Sequence, residues 1–139
     1  MAQDDMLTGG CNCRAVRYTL SAPPLAVVAC HCTSCRRQSG ATYSVNLLVR
    51  AEAMTVEGRL TRWMDPDTES GQPVAREFCG TCGSPIRSLP ATLPQFVVVK
   101  AGTLDQADRF APAMHIWTSS KLSWVTVPAG VPAHAKGGG

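Results

Sequence analysis

Gly10-Cys-Asn-Cys-Arg-Ala-Val-Arg-Tyr-Thr-Leu20 sets a C-x-C pair directly before a run in which Val16, Tyr18 and Leu20 alternate with Arg17 and Thr19. Apolar residues at every second position share one face of a strand, so Cys13–Leu20 reads as a half-buried strand. Residues two apart on extended backbone also let Cys11 and Cys13 aim both sulfurs at one ion. The same pattern recurs along the chain. Leu25–Cys30, Tyr43–Val49, Arg59–Met64, Val74–Phe78, Phe96–Lys100 and Trp124–Val127 are short and suited to strands, with glycine or proline punctuating the spaces between. Glu57-Gly58 predicts a hairpin between Met54–Val56 and Arg59–Met64. Asp65–Pro73 reads as a polar surface loop. Thr33–Gln38 predicts one helical turn capped by Thr33 or Ser34. No segment sustains three turns of apolar helical spacing, so the expected fold is all-β, with short strands and metal-bearing turns.

The chain has 139 residues, seven of them cysteine. That length suits a single domain, expected over 1–129, with 130–139 as a flexible tail that has little to bury. No apolar run approaches the roughly 18 residues that span a bilayer. The first ten residues are acidic and lack the apolar core of a secretory signal. The expected location is therefore cytoplasmic, where thiols stay reduced and act as metal ligands or catalytic groups before they pair as disulfides. An odd count also leaves one thiol over in a disulfide framework. The net charge is +3, spread over 13 basic residues, and aromatics make up 6%. Dispersed cations with so few stacking rings argue against nucleic acid as a partner.

The cysteines fall in three clusters: Cys11-x-Cys13, Cys30-x-Cys32-x-x-Cys35 and Cys79-x-x-Cys82. In Phe78-Cys-Gly-Thr-Cys-Gly83 the glycines permit the backbone angles of a metal-binding knuckle. A structural zinc takes four protein ligands, and a catalytic zinc takes three and keeps one position open. The two pairs, Cys11, Cys13, Cys79 and Cys82, make four. Cys30, Cys32 and Cys35 make three. Two zinc ions per chain are expected, the second more labile because its ligands lie within six residues. Alternatives are redox pairs or inert thiols, and, for the inner cluster, a site closed by a histidine. His31 lies between two ligands and should point away from them. It and His115, with Tyr43, are candidate proton carriers, or else ordinary core-edge groups. Arg36 and Arg37 follow Cys35 directly, and a cation there would lower thiolate basicity and hold a carboxylate. Ser39 or the Gly40 amide could donate to the ligand sulfurs.

Gly10-Cys-Asn-Cys-Arg-Ala-Val-Arg-Tyr18, Cys30-His-Cys-Thr-Ser-Cys-Arg-Arg-Gln-Ser-Gly40 and Phe78-Cys-Gly-Thr-Cys-Gly83 resemble, in the same order, the glutathione-dependent formaldehyde-activating enzyme family. Gly102-Thr-Leu-Asp105, Pro112-x-x-His-Ile-Trp117 and Lys121-x-x-Trp124 look like that family's C-terminal half, so the resemblance covers about residues 7 to 127. It implies a twisted Mss4-like all-β fold, a structural zinc on the outer cysteines and a catalytic zinc on Cys30, Cys32 and Cys35. The activity it implies is a carbon–sulfur lyase reaction: reversible formation of S-hydroxymethylglutathione from glutathione and formaldehyde. His31, Arg36 and His115, read from their places in the sequence beside the cysteine motifs and in Pro112–Trp117, are the further candidate catalytic residues. One departure stands out, since Arg14 occupies a position where the family usually has glycine. Two non-catalytic readings compete with the enzyme: a zinc-stabilised binding module, and a thiol-based metal or redox sensor at Cys30, Cys32 and Cys35.

Overall fold

Ten short strands form two sheets within residues 6–137, which the computed structural model describes. The smaller sheet is antiparallel, with β1 (Leu7–Gly10), β2 (Arg17–Leu20) and β5 (Met54–Glu57) in the order β1-β2-β5. The larger sheet joins β3 (Ala26–Cys30), β4 (Ser44–Arg50), β6 (Leu60–Asp65), β7 (Val74–Cys79), β8 (Pro85–Pro90), β9 (Phe96–Lys100) and β10 (Met114–Ile116). Their spatial order is β10-β3-β4-β9-β8-β7-β6, antiparallel except for the β10–β3 pair. Among the described residues there is one α-helix, α1 (Thr33–Ser39), which follows β3. Among the described residues, no helix is long and apolar enough to cross a membrane.

Alternation along the central strands decides which face is core. In β4, Leu47 and Val49 are fully buried in the hydrophobic cluster with Val97 and Val99 of β9. Val16, Tyr18, Leu20 and Leu7 come to the same cluster from the small sheet and its flank. Burying such side chains is worth about 1.5–3 kcal/mol each, so this shared cluster is what fixes one sheet to the other. The other set of the alternation, Asn46 and Leu48 in β4 and Val98 and Lys100 in β9, faces away from this core and lines a cavity. Register aligns these residues directly, Asn46 opposite Lys100 and Leu48 opposite Val98.

Several sequence expectations need correction. The Glu57-Gly58 turn makes no hairpin: β5 pairs with β2, and β6 pairs with β7 in the other sheet. Gly58 carries φ +99, and a Cβ there would lie 2.1 Å from the Ala15 carbonyl oxygen, so the turn switches sheets where only glycine fits. Trp124–Val127 is not a strand, and Trp124 is 68% exposed. The helix is capped by neither Thr33 nor Ser34; the Cys32 sulfur accepts from the Cys35 amide at 3.2 Å. Beside these corrections, the run 131–136 lies alongside β10. His115 N donates to the Pro132 carbonyl, His134 N donates to the His115 carbonyl, and Trp117 N donates to the Lys136 carbonyl, each at 2.9 Å. An edge strand offers such backbone groups whatever the side chains are. Gly138 and Gly139 of the expected tail, and residues 1–5 of the expected domain, lie outside the described residues.

Candidate metal centres

Cys11 and Cys13 leave β1 for the turn before β2, while Cys79 ends β7 and Cys82 sits in the turn toward β8. Their four sulfurs lie within 4.8 Å of one another. Cys11 Sγ is 3.6 Å from Cys13 Sγ, and Cys13 Sγ is 3.8 Å from Cys79 Sγ. A tetrahedral thiolate site with metal–sulfur bonds of about 2.3 Å has sulfur–sulfur edges of about 3.8 Å, so these residues fit such an ion. The Val16 amide donates to Cys11 Sγ at 3.2 Å, and the Ser84 hydroxyl lies 3.2 Å from Cys82 Sγ. The hydrogen bonds from Ser84, side chain and then backbone, push the Cys82 thiol down to about 5. Gly83 (φ +82) closes the knuckle, its amide donating to the Cys79 carbonyl at 2.8 Å. Arg14 sits at φ +69, which explains the strain of a side chain where glycine would be at ease.

The inner group is Cys30 at the end of β3, Cys32 at the helix cap and Cys35 in the first turn of α1. The three sulfurs again lie within 4.8 Å of one another, and no histidine joins them. All seven cysteines are unbridged. Among the described residues, these two groups could hold metal. Cys35 is held well below the ordinary thiol value of 9.0, because Cys30 and Cys32 hydrogen-bond to its thiolate and outweigh burial. Lys100 and Arg76 add to that from neighbouring strands, with Arg76 Nη1 4.0 Å from Cys35 Sγ.

These two cations are the site residues that sequence reasoning missed. Arg76 lies in β7 and Lys100 ends β9, both nearly fully buried. Arg76 is held by Asp65 at 3.1 Å and donates to Ser88 Oγ at 3.2 Å. Lys100 Nζ donates to Ser44 Oγ at 2.9 Å, and Ser44 donates to Asn46 Oδ1 at 2.8 Å. The available signal was a charge at an inward position inside a strand-like apolar run, Val74-Ala-Arg-Glu-Phe78 and Phe96-Val-Val-Val-Lys100. Arg36 and Arg37, expected in that role, sit in the last turn of α1 and make no hydrogen bond or ion pair to a cysteine. Ser39 donates to the Arg36 carbonyl, and the Gly40 amide goes to the same oxygen, so neither serves the sulfurs.

His31 and His115 form a buried pair, Nε2 to Nδ1 at 2.8 Å, with the Tyr43 ring tilted by 33° and its centroid 4.8 Å from that of His31. Burial pushes both imidazoles below their ordinary 6.5, and for His31 the neighbouring His115 and Lys121 add to it. None of the three lines the cavity over the inner cysteines. That cavity measures about 380 Å³ and is bounded by Cys30, Cys32 and Cys35 at one end.

A four-thiol group and a three-thiol group, the latter opening on a cavity, define a β-sheet scaffold with two candidate metal centres. Residues 6–120 match the family described as glutathione-dependent formaldehyde-activating enzyme, and the chain belongs to that family. A Halomonas elongata protein named "Putative glutathione-dependent formaldehyde-activating enzyme" is 28% identical over 127 residues, covering 88% of this chain and 81% of that one. A crystal structure of a Rhodobacter sphaeroides protein has a TM-score of 0.57 at 22% identity, covering 76% of this chain and 96% of that one; the likeness is one of fold.

Proposed function

We propose that the protein is a carbon–sulfur lyase-type enzyme that makes and breaks the bond between a small thiol and an aldehyde carbon. In this reading Cys30, Cys32 and Cys35 hold a catalytic zinc, and Cys11, Cys13, Cys79 and Cys82 hold a structural one. Glutathione and formaldehyde, the pair in the family's description, are the first substrates to test. The observation that carries the reading is a three-thiol group with its unfilled side on a cavity, beside a four-thiol group that is closed. Zinc bound by three residues leaves a fourth position for an outside ligand, where it lowers the pKa of a thiol and so supplies a nucleophile at neutral pH.

The remaining work falls to the chain itself. Arg76 and Lys100 offset the negative charge of three thiolates in a poorly solvated place, where such charges interact strongly. Lys100 spends one N–H on Ser44 and lines the cavity, so its other donors can meet the carbonyl oxygen as that oxygen gains charge. The carbon–sulfur bond forms, the S–H bond breaks, and the proton ends on the former carbonyl oxygen. The neutral His31–His115 pair lies off the cavity and acts by holding β3 against β10, where His115 is opposite Ala29.

Exchange spectroscopy by NMR tests this. Formaldehyde and its glutathione adduct should interconvert at least about tenfold faster with the zinc-loaded protein than without it. Cys32→Ser should abolish the gain while keeping a capping oxygen for α1. Equal rates with and without protein would remove glutathione and formaldehyde as the substrate pair, and equal rates for every thiol and aldehyde pair tried would overturn the lyase reading.

A further inference from the structure

The cavity over the inner cysteines is unevenly furnished. Its two charged groups lie near the sulfurs, Arg76 on β7 and Lys100 on β9, with Asn46 of β4 and Ser88 of β8 beside them, while the neutral Thr68, Ser70, Gln72 and Thr92 line it from the loops. Arg76 is held by both Asp65 and Ser88, Asn46 accepts from Ser44, and Lys100 gives one N–H to Ser44 and keeps the others for the reacting oxygen. The register then sets an apolar surface beside them. Val28 is opposite Asn46, and Leu48 is opposite Val98. Val74, Leu93 and Ile116 extend this apolar part of the wall.

Charge decides what this wall can hold. A tripeptide thiol such as glutathione brings two carboxylates and one ammonium group. The lining contains no lysine or arginine besides Lys100 and Arg76, and no aspartate or glutamate. Both cations are nearly fully buried next to the thiols, and Arg76 already neutralises Asp65. Carboxylates placed against Leu48, Val98 and Val74 would lose hydration with no cation there to replace it. Formaldehyde has only two heavy atoms, which leaves most of about 380 Å³ unfilled. A cavity of this size with apolar walls and a few convergent polar groups matches a small molecule with a hydrophobic body.

Building on the lyase reading above, we propose that the adduct handled at Cys30, Cys32 and Cys35 is a hemithioacetal carrying an alkyl or aryl substituent, seated against Val28, Leu48 and Val98. The substituent enters on either the aldehyde or the thiol. In both cases the thiol sulfur adds to the carbonyl carbon and its proton passes to the oxygen, with no change of oxidation state.

Three exchange reactions on the zinc-loaded protein separate the possibilities: glutathione with formaldehyde, benzyl mercaptan with formaldehyde, and glutathione with heptanal. At least one apolar arm should exceed the first in rate enhancement by about tenfold or more. The second arm leading assigns the apolar group to the thiol, and the third assigns it to the aldehyde. Binding is read separately by saturation-transfer NMR with benzyl alcohol, which has neither thiol nor aldehyde. It should bind the wild-type protein and bind Val98→Thr, a change of similar shape, several-fold more weakly. The proposal is overturned if glutathione with formaldehyde equals or leads the apolar arms, or if benzyl alcohol does not bind; the lyase reading survives both results. All three arms at the uncatalysed rate would overturn the lyase reading and this proposal together.

Discussion

Replacing Arg76 by methionine keeps much of the aliphatic stem and removes the guanidinium from a place where neither it nor Asp65 is more than 9% exposed. Arg76 Nε and Nη2 both donate to Asp65 Oδ2, at 3.2 and 3.1 Å. Without them, Asp65 keeps only the Asp67 amide, 3.4 Å from its Oδ1. Breaking one side of a buried ion pair costs about 3–5 kcal/mol, because the charge left behind is neither hydrated nor paired. With unfolding entropy of about 2.1 cal/mol/K per residue, a chain of this length loses about 3–4 °C of Tm per kcal/mol, so Arg76→Met should melt about 10–17 °C lower. The double variant Asp65→Asn/Arg76→Met removes both charges and should recover more than half of that loss. Calorimetry on the zinc-loaded forms at neutral pH measures both. Chelator challenge should also strip the inner metal faster from both variants, since each lacks the cation beside Cys35. If the single and double variants melt at the same temperature, or if Arg76→Met costs less than about 1 kcal/mol, the buried pair is not what holds β6 to β7 at the site.

Arg14→Gly should stabilise the protein by about 0.5–1 kcal/mol, because a glycine adopts φ +69 without steric cost; chemical denaturation reads the change. Gly58→Ala should cost about 2–4 kcal/mol, since its φ is +99 and the new Cβ would meet the Ala15 carbonyl, whereas Gly40→Ala, with φ +70 and open space, should cost about 1 kcal/mol. Asp105 is held below its ordinary 3.8 by the Arg17 guanidinium and the Thr8 hydroxyl. Its contribution is therefore complete above pH 3.8 and lost as the pH falls through the lower folded value. Because the pair is nearly half exposed, Asp105→Asn should cost less than about 1 kcal/mol at neutral pH in low salt, and this deficit should shrink toward zero in acid.

The parts of the molecule legible in the sequence are those with local cause. The cysteine spacings announced two groups, four and three, and the structure brings together those same residues. Alternation marked β4, β7 and β9 within one or two residues. It could not mark β8, where proline stands at both ends of Pro85–Pro90, or the three-residue β10, which hangs on pairing with β3 and with the run 131–136. Partnership is decided at a distance. The Glu57-Gly58 turn looked like a hairpin because period-two patterning names a strand and not its neighbour. The same limit hid the cations: Arg36 and Arg37 are adjacent to Cys35 in the chain, but Arg76 and Lys100 reach the site only through sheet order.

Zinc K-edge X-ray absorption of the two-zinc protein, recorded before and after adding substrate thiol, addresses the open corner itself. One closed and one three-thiolate centre give an average of about 3.5 sulfurs per zinc, and thiol binding should raise it to about 4. An average of about 4 before any thiol is added, or one that thiol leaves at about 3.5, would contradict an open zinc at Cys30, Cys32 and Cys35.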